Sequence, residues 1–225
     1  MSNILITSAG QRVSLVRAFQ KELRELFPDS KVYTVDFNPV LAPACHVADG
    51  YKKIQRVTEK NYIVDLLNIC IDWDIKLIIP TIDTELKILS NHKSLFTENG
   101  IIPVVSELSF IEKCRDKRII NDFFETHEIE IPQPVDKENL IYPFFIKPYD
   151  GSLSKDIFLI ENESQLKPYY FSNTKLMFME YINPQDHDEY TVDTYYDRNG
   201  YLKCAVPRKR IFIRSGEINK GVTHQ

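Results

Sequence analysis

The first half of the chain constrains the fold most, because short apolar runs alternate there with stretches of helical periodicity. Asn3–Thr7, residues 31–35, Ile75–Ile79 and residues 101–105 read as strands. Between the first two, Val13, Val16, Phe19, Leu23 and Leu26 recur at helical spacing until Pro28. Thr58 is the expected cap of a second helix, whose apolar stripe is Ile63, Leu66, Leu67, Cys70 and Trp73. A third helix is expected from about Thr84. Strands apolar on nearly every residue are buried on both faces, so helices must cover both sides of a parallel sheet. Ligands of such sheets collect beyond the carboxyl ends of the strands. Ser8, Gly10, Asp36, Thr81 and Asp83 all occupy such ends.

The pattern changes after residue 107. Ser109-Phe-Ile-Glu112 has the form of a capping box, opening a helix expected to reach His127 before Pro132 and Pro134 end it. Residues 144–146, 157–160 and 176–179 then read as strands, with one short helix over 164–170. Residues 189–196 alternate with period two, Asp197-Arg-Asn-Gly200 is a hairpin turn, and residues 201–206 return. Antiparallel strands following an alternating half imply two domains, 1–107 and 108–225, an α/β parallel-sheet domain and then an α+β domain.

The 225 residues are 43% hydrophobic and 27% charged, enough apolar material for a packed core. A net charge of −4 supplies no global field for nucleic acid or an anionic membrane. No apolar run nears the roughly 20 residues of a bilayer crossing, and residues 1–6 have no basic leader. Cys45, Cys70, Cys114 and Cys204 are scattered without metal-ligand spacing, which points to reduced thiols and a cytoplasmic location.

Four segments carry chemistry. Lys147 ends an apolar strand and is followed by Asp150-Gly151-Ser152-Leu-Ser154-Lys155, a small polar turn whose amides and hydroxyls can cradle phosphate. Leu176-Met-Phe-Met-Glu180-Tyr181-Ile182 ends in a carboxylate where free backbone groups can meet a base edge. Glu189, Thr191 and Asp193 share one strand face, and Glu189 could bind ribose hydroxyls. Arg208, Lys209, Arg210, Arg214 and Lys220 place five cations within thirteen residues, a cluster suited to a triphosphate or phosphorylated intermediate. Taken singly, each segment also reads as a solvated strand end or the wet face of a sheet. Ser8-Ala-Gly10-Gln-Arg-Val13 holds one glycine and fails the dinucleotide fingerprint. No Ser-His-Asp arrangement can be assembled around the five histidines.

Taken together, Phe145-Ile-Lys147-Pro-Tyr-Asp-Gly151-Ser, Met179-Glu180-Tyr181-Ile, Asp188-Glu189-Tyr-Thr-Val-Asp193 and Val206-Pro-Arg208-Lys-Arg210-Ile resemble the ATP-grasp superfamily. Within it they resemble the carbamoyl-phosphate-synthase large-subunit-like group, and residues 4–13 resemble that group's Rossmann-like pre-ATP-grasp domain. The resemblance implies that Lys117, Lys147, Gly151, Ser152 and Ser154 meet ATP phosphates. It implies that Glu180 and the Tyr181 and Ile182 backbone hold adenine, and that Glu189 holds ribose. Arg214, with Arg208 or Arg210, would face the γ-phosphate or the substrate. The implied chemistry is phosphorylation of a small carboxylate and attack of an amine on the acyl phosphate, with no nucleic-acid or membrane partner and with a homodimer allowed.

Leu153 and Asp156 stand where the family's loop carries glycine. The family's magnesium ligands, a late acid and an E-x-N pair, are expected beyond Gln225, so the grasp domain reads as truncated. Glu217-Ile-Asn219 is assigned to the substrate or phosphate loop instead. Two other readings stay open: a non-catalytic nucleotide sensor or subunit with the same fold, and a nicotinamide-dependent oxidoreductase using Gly10.

Overall fold

The computed structural model describes residues 2–151, 155–214 and 217–223, without the side chains of Arg214 and Glu217. The chain divides into two compact units, Met1–Lys113 and Cys114–Gln225.

In the first unit, β1 (Asn3–Thr7), α1 (Val13–Leu26) and β2 (Val32–Asp36) are followed by α2 (Pro43–Val47), β3 (Gly50–Lys53) and α3 (Tyr62–Asp72). Then come β4 (Ile75–Ile79), α4 (Asp83–Asn91), α5 (Lys93–Glu98), β5 (Ile102–Pro103) and α6 (Leu108–Arg115). The five strands form a parallel sheet in the order β3-β2-β1-β4-β5. Every residue of β1 is buried, the apolar Ile4–Ile6 run and the polar Asn3 and Thr7 at its ends alike. Successive side chains of a strand point to opposite faces, and two cores result. Leu5 packs with Val35, Tyr62, Leu66, Ile78 and Phe96, whereas Ile4 and Ile6 pack with Val16, Leu23, Val32 and Cys45.

Two expectations for this unit are corrected, and two elements were not expected. α3 begins at Tyr62 after Asn61, not at Thr58, because two successive turns, Glu59 N–H to Arg56 O and Tyr62 N–H to Glu59 O, occupy the preceding residues. The helix opened by Ser109 starts at Leu108 and stops at Arg115. α2 and β3 had no sequence signal, since β3 is a four-residue edge strand of alternating burial without an apolar run.

In the second unit, α7 (Lys117–Thr126) starts afresh because the Asp116 side chain accepts from the Arg118 N–H and caps a new helix. It is followed by β6 (Phe144–Pro148), β7 (Phe158–Ile160), α8 (Pro168–Ser172) and β8 (Leu176–Glu180). The helix expected over 164–170 is a 3-10 turn at Glu163–Gln165 and then α8, with Pro168 in the first helical position. β7-β6-β8 is an antiparallel sheet over Phe144, Ile146, Ile160, Tyr170, Leu176 and Phe178. β9 (Tyr190–Tyr196), β10 (Leu202–Arg214) and β11 (Glu217–Thr223) form a second antiparallel sheet. The turn joining β9 to β10 is closed by Asp197, whose N–H donates to Tyr201 O and whose carboxylate accepts from the Asn199 and Tyr201 N–H groups. Among the described residues, no helix is long and apolar enough to cross a membrane.

Candidate functional site

β6 delivers Lys147 near its end, and the backbone just beyond it is fastened from both sides. The Tyr149 N–H donates to Lys175 O at 3.0 Å, and Tyr149 O accepts from the Lys117 N–H at 2.9 Å. That second bond satisfies an amide in the first turn of α7, which has no partner within its own helix. The Lys117 Nζ then reaches Gly151 O at 2.7 Å. Two lysines separated by thirty residues of sequence thus meet around the start of one loop.

Burial dominates the electrostatics of both lysines. Burial pushes both ammonium groups below the usual lysine range. For Lys117 burial outweighs the attraction of Asp150, and for Lys147 the nearby Lys117 charge adds to the effect. Asp150 is shared, because Lys175 holds it at 2.6 Å and keeps its carboxyl below the usual range. Arg118 stacks on the Tyr149 ring at 3.6 Å while bonded to Asp116, stiffening the same loop. A polyanion here would meet two partly desolvated ammonium groups, of which Lys117 already donates to Gly151 O.

Loop geometry adds two constraints. A Cβ at Gly151 would lie 2.7 Å from Pro148 Cγ, so only glycine fits without a shift. Asp156 has φ +55°, the left-handed region favoured by glycine. Ser152, Leu153 and Ser154 lie outside the described residues.

Glu180 closes β8 in a reciprocal clamp with Gln133: its N–H donates to Gln133 O at 2.7 Å, and its carboxylate accepts from the Gln133 N–H at 3.1 Å. Tyr181 and Ile182 follow directly, half-buried and exposed respectively. On the second sheet three cations of the basic cluster are matched with acids on or next to β9. Arg208 meets Asp193 at 2.5 Å, Lys209 meets Asp188 at 2.6 Å, and Arg210 meets Glu189 at 2.6 Å. The structure therefore joins Glu189 and Arg210 directly, and a ligand would have to compete with that pair for either. Arg214 lies in β10 with its side chain outside the described residues.

Sequence reading missed Lys175 and the pairing of Asp188 and Asp193 with the basic strand. Pairing of Pro148 with Leu176 puts Lys175 beside Tyr149, but that register is invisible before the strands are paired.

In the first unit the loop after β1 is closed on itself. Buried Glu85 accepts from Thr7 Oγ1 and Ser8 Oγ at 2.8 Å and from the Tyr62 hydroxyl at 2.7 Å. Burial, with the Glu85 charge, pushes the Tyr62 phenol well up. Ser8 and Gly10 sit at φ +48° and +50°. The Asp36 carboxylate accepts from the Gly10 and Asn38 N–H groups, so the acid a nicotinamide dinucleotide would use for its ribose is already engaged.

Residues 4–105 match the family model for the PylC-like N-terminal domain. No curated protein matches the chain. Among solved structures, biotin carboxylase from Campylobacter jejuni in a β,γ-ATP complex aligns with 96% of this chain and 53% of its own, at 15% identity and TM-score 0.70. Staphylococcus aureus N5-carboxyaminoimidazole synthetase with ADP aligns with 95% and 56%, at 16% identity and TM-score 0.67. The biotin carboxylase domain dimer of Hydrogenobacter thermophilus 2-oxoglutarate carboxylase, with MgADP and bicarbonate, aligns with 96% and 52%, at 17% identity and TM-score 0.67. The chain spans about half the length of these three.

Proposed function

Because the chain has the fold of the ATP-grasp superfamily, opened by a PylC-like N-terminal domain, we propose that it binds ATP as part of a ligase-type protein. That protein would activate a small carboxylate as an acyl phosphate for attack by an amine or similar nucleophile, with carbamoyl-phosphate-type chemistry included. The observation that supports the reading best is the meeting of Lys117 and Lys147 at the 149–151 loop, two partly desolvated cations whose nearest acid is held by Lys175.

In this reading Lys117, Lys147 and the backbone from Gly151 through Ser154 hold the phosphates. Glu180 and the Tyr181–Ile182 backbone hold the base, and Glu189 the ribose once Arg210 releases it. Arg208, Arg210 and Arg214 face the transferred phosphoryl group or the substrate. The protein's contribution to phosphoryl transfer is positioning and charge neutralisation, which is what such residues supply. Magnesium would arrive with the nucleotide. Among the described residues no cluster of three or more His, Cys, Asp or Glu could hold a metal ion. Four free cysteines fit a reducing cytoplasmic setting, and a homodimer is compatible with the same reading.

Calorimetric titration with ATP, ADP, adenosine and NADPH tests it. Affinity should rise with phosphate number from adenosine to ATP, and NADPH should bind no better than adenosine. Equal binding of ATP and adenosine would remove the phosphate site. The ion pairs of Arg208 and Arg210 favour a second reading, a nucleotide sensor that binds without turnover. ADP release from MgATP with carboxylates and amines would decide for the ligase. Tight ATP binding with no release from the complete protein would decide for the sensor.

A further inference from the structure

The first unit holds a cleft of about 730 Å³, within the range of small-molecule sites, lined in part by Phe37, Lys53, Arg56, Glu59, Asp65 and Asn68. It lies beyond the carboxyl ends of two strands at one side of the sheet: Phe37 follows β2, and Arg56 follows β3. We propose that this cleft binds a small organic oxyanion, a phosphate ester or a carboxylate, with a hydroxyl-bearing body. The proposal is independent of the ATP reading and concerns a different unit.

Two observations carry it. Phe37 is 43% exposed, and its ring has the Arg56 guanidinium 3.8 Å and the Lys53 ammonium 5.8 Å from its centre. Stacking on an aromatic face orients a guanidinium without neutralising it, so its in-plane N–H donors remain available for bidentate pairing with an oxyanion. The neighbouring cation behaves differently: Lys52 pairs with Asp72 at 3.1 Å. Among the described residues no carboxylate forms an ion pair with Lys53 or Arg56. Second, the rest of the lining suits a polar body on an apolar wall. Glu59, Asp65 and Asn68 offer acceptors for hydroxyls, and the wall is Ile54 and Ile69, both buried.

The test is residue-resolved NMR titration of the full chain with ribose 5-phosphate, gluconate and inorganic phosphate. Phosphate probes can also meet Lys117 and Lys147, so the diagnostic signals are the amides of Phe37, Gln55, Arg56 and Asn68. Saturable shifts at these amides are expected with ribose 5-phosphate or gluconate, at lower concentration than with inorganic phosphate. The stronger of the two identifies the oxyanion. Arg56→Ala should weaken that binding about tenfold or more, and Lys53→Ala should weaken it in the same direction. Both residues are exposed, so the variants should keep the wild-type spectrum elsewhere. No saturable shift at those amides, or shifts unchanged in Arg56→Ala, would overturn the proposal. Either result would leave the ATP reading standing, because that reading is scored at Lys117, Lys147 and Gly151.

Discussion

At Lys147 the cost of burial and the gain on ligand binding are two sides of one charge. Its folded pKa lies below the unfolded value, so between the two the native protein binds fewer protons than the unfolded chain. Stability of the ligand-free protein should therefore rise with pH through that window, toward the ordinary lysine value of about 10.5. Burial makes the charge of both lysines costly, a cost that an anion would offset. Lys147→Met, which keeps the aliphatic stem, should leave ligand-free stability within about 0.5 kcal/mol of wild type or raise it. Urea unfolding checks this, and a clear loss would mean that the ammonium has a structural partner. ATP affinity should fall as pH rises through the depressed lysine pKa values, before ordinary lysines titrate. Calorimetry from neutral pH upward would show it, and a profile flat to the ordinary lysine range would speak against a role for these two. At Gly151, alanine must displace Pro148, so Gly151→Ala should weaken ATP binding more than Asp150→Ala, whose carboxylate is held by Lys175.

At the level of elements, the β1 loop is held by the Thr7, Ser8 and Tyr62 hydroxyls converging on Glu85 of α4. Glu85→Ala removes the shared acceptor and should cost about 2–3 kcal/mol, against about 1 kcal/mol for Tyr62→Phe, which deletes one bond. Denaturant unfolding measures both, and equal costs would mean that the network is not what holds the loop. Such contrasts show what the sequence could reveal. β1 and β4 were legible because burial on both faces demands largely apolar runs, broken only by Lys76 in β4 and by the polar ends of β1, and the β9–β10 hairpin because period-two alternation flanks an Asp-Arg-Asn-Gly turn. The break between α6 and α7 was not legible, since the apolar positions continue across it and only Asp116 accepting from Arg118 shows the interruption. β3 escaped because an edge strand needs little apolar character. The two lysines could be named from the order of motifs, but Lys175 and the acids that hold Arg208 and Arg210 follow from strand register alone.

Across the whole molecule, each unit owns its core: two clusters on either face of the parallel sheet, and one under the β7-β6-β8 sheet. A fragment of residues 1–113 should accordingly fold alone, with helical circular dichroism and cooperative unfolding; a fragment without a cooperative transition would contradict this. The matched family model covers residues 4–105 of that unit, while the candidate phosphate site belongs wholly to the other. The account stands on that second unit gripping a nucleotide tail. Its most direct test is calorimetric titration of wild type and Lys147→Ala with ATP, both checked for an intact fold. The expected result is saturable binding by wild type and a loss of about 1.5–3 kcal/mol in the variant, as for a charge-assisted hydrogen bond. Equal ATP affinity in the two proteins would contradict it.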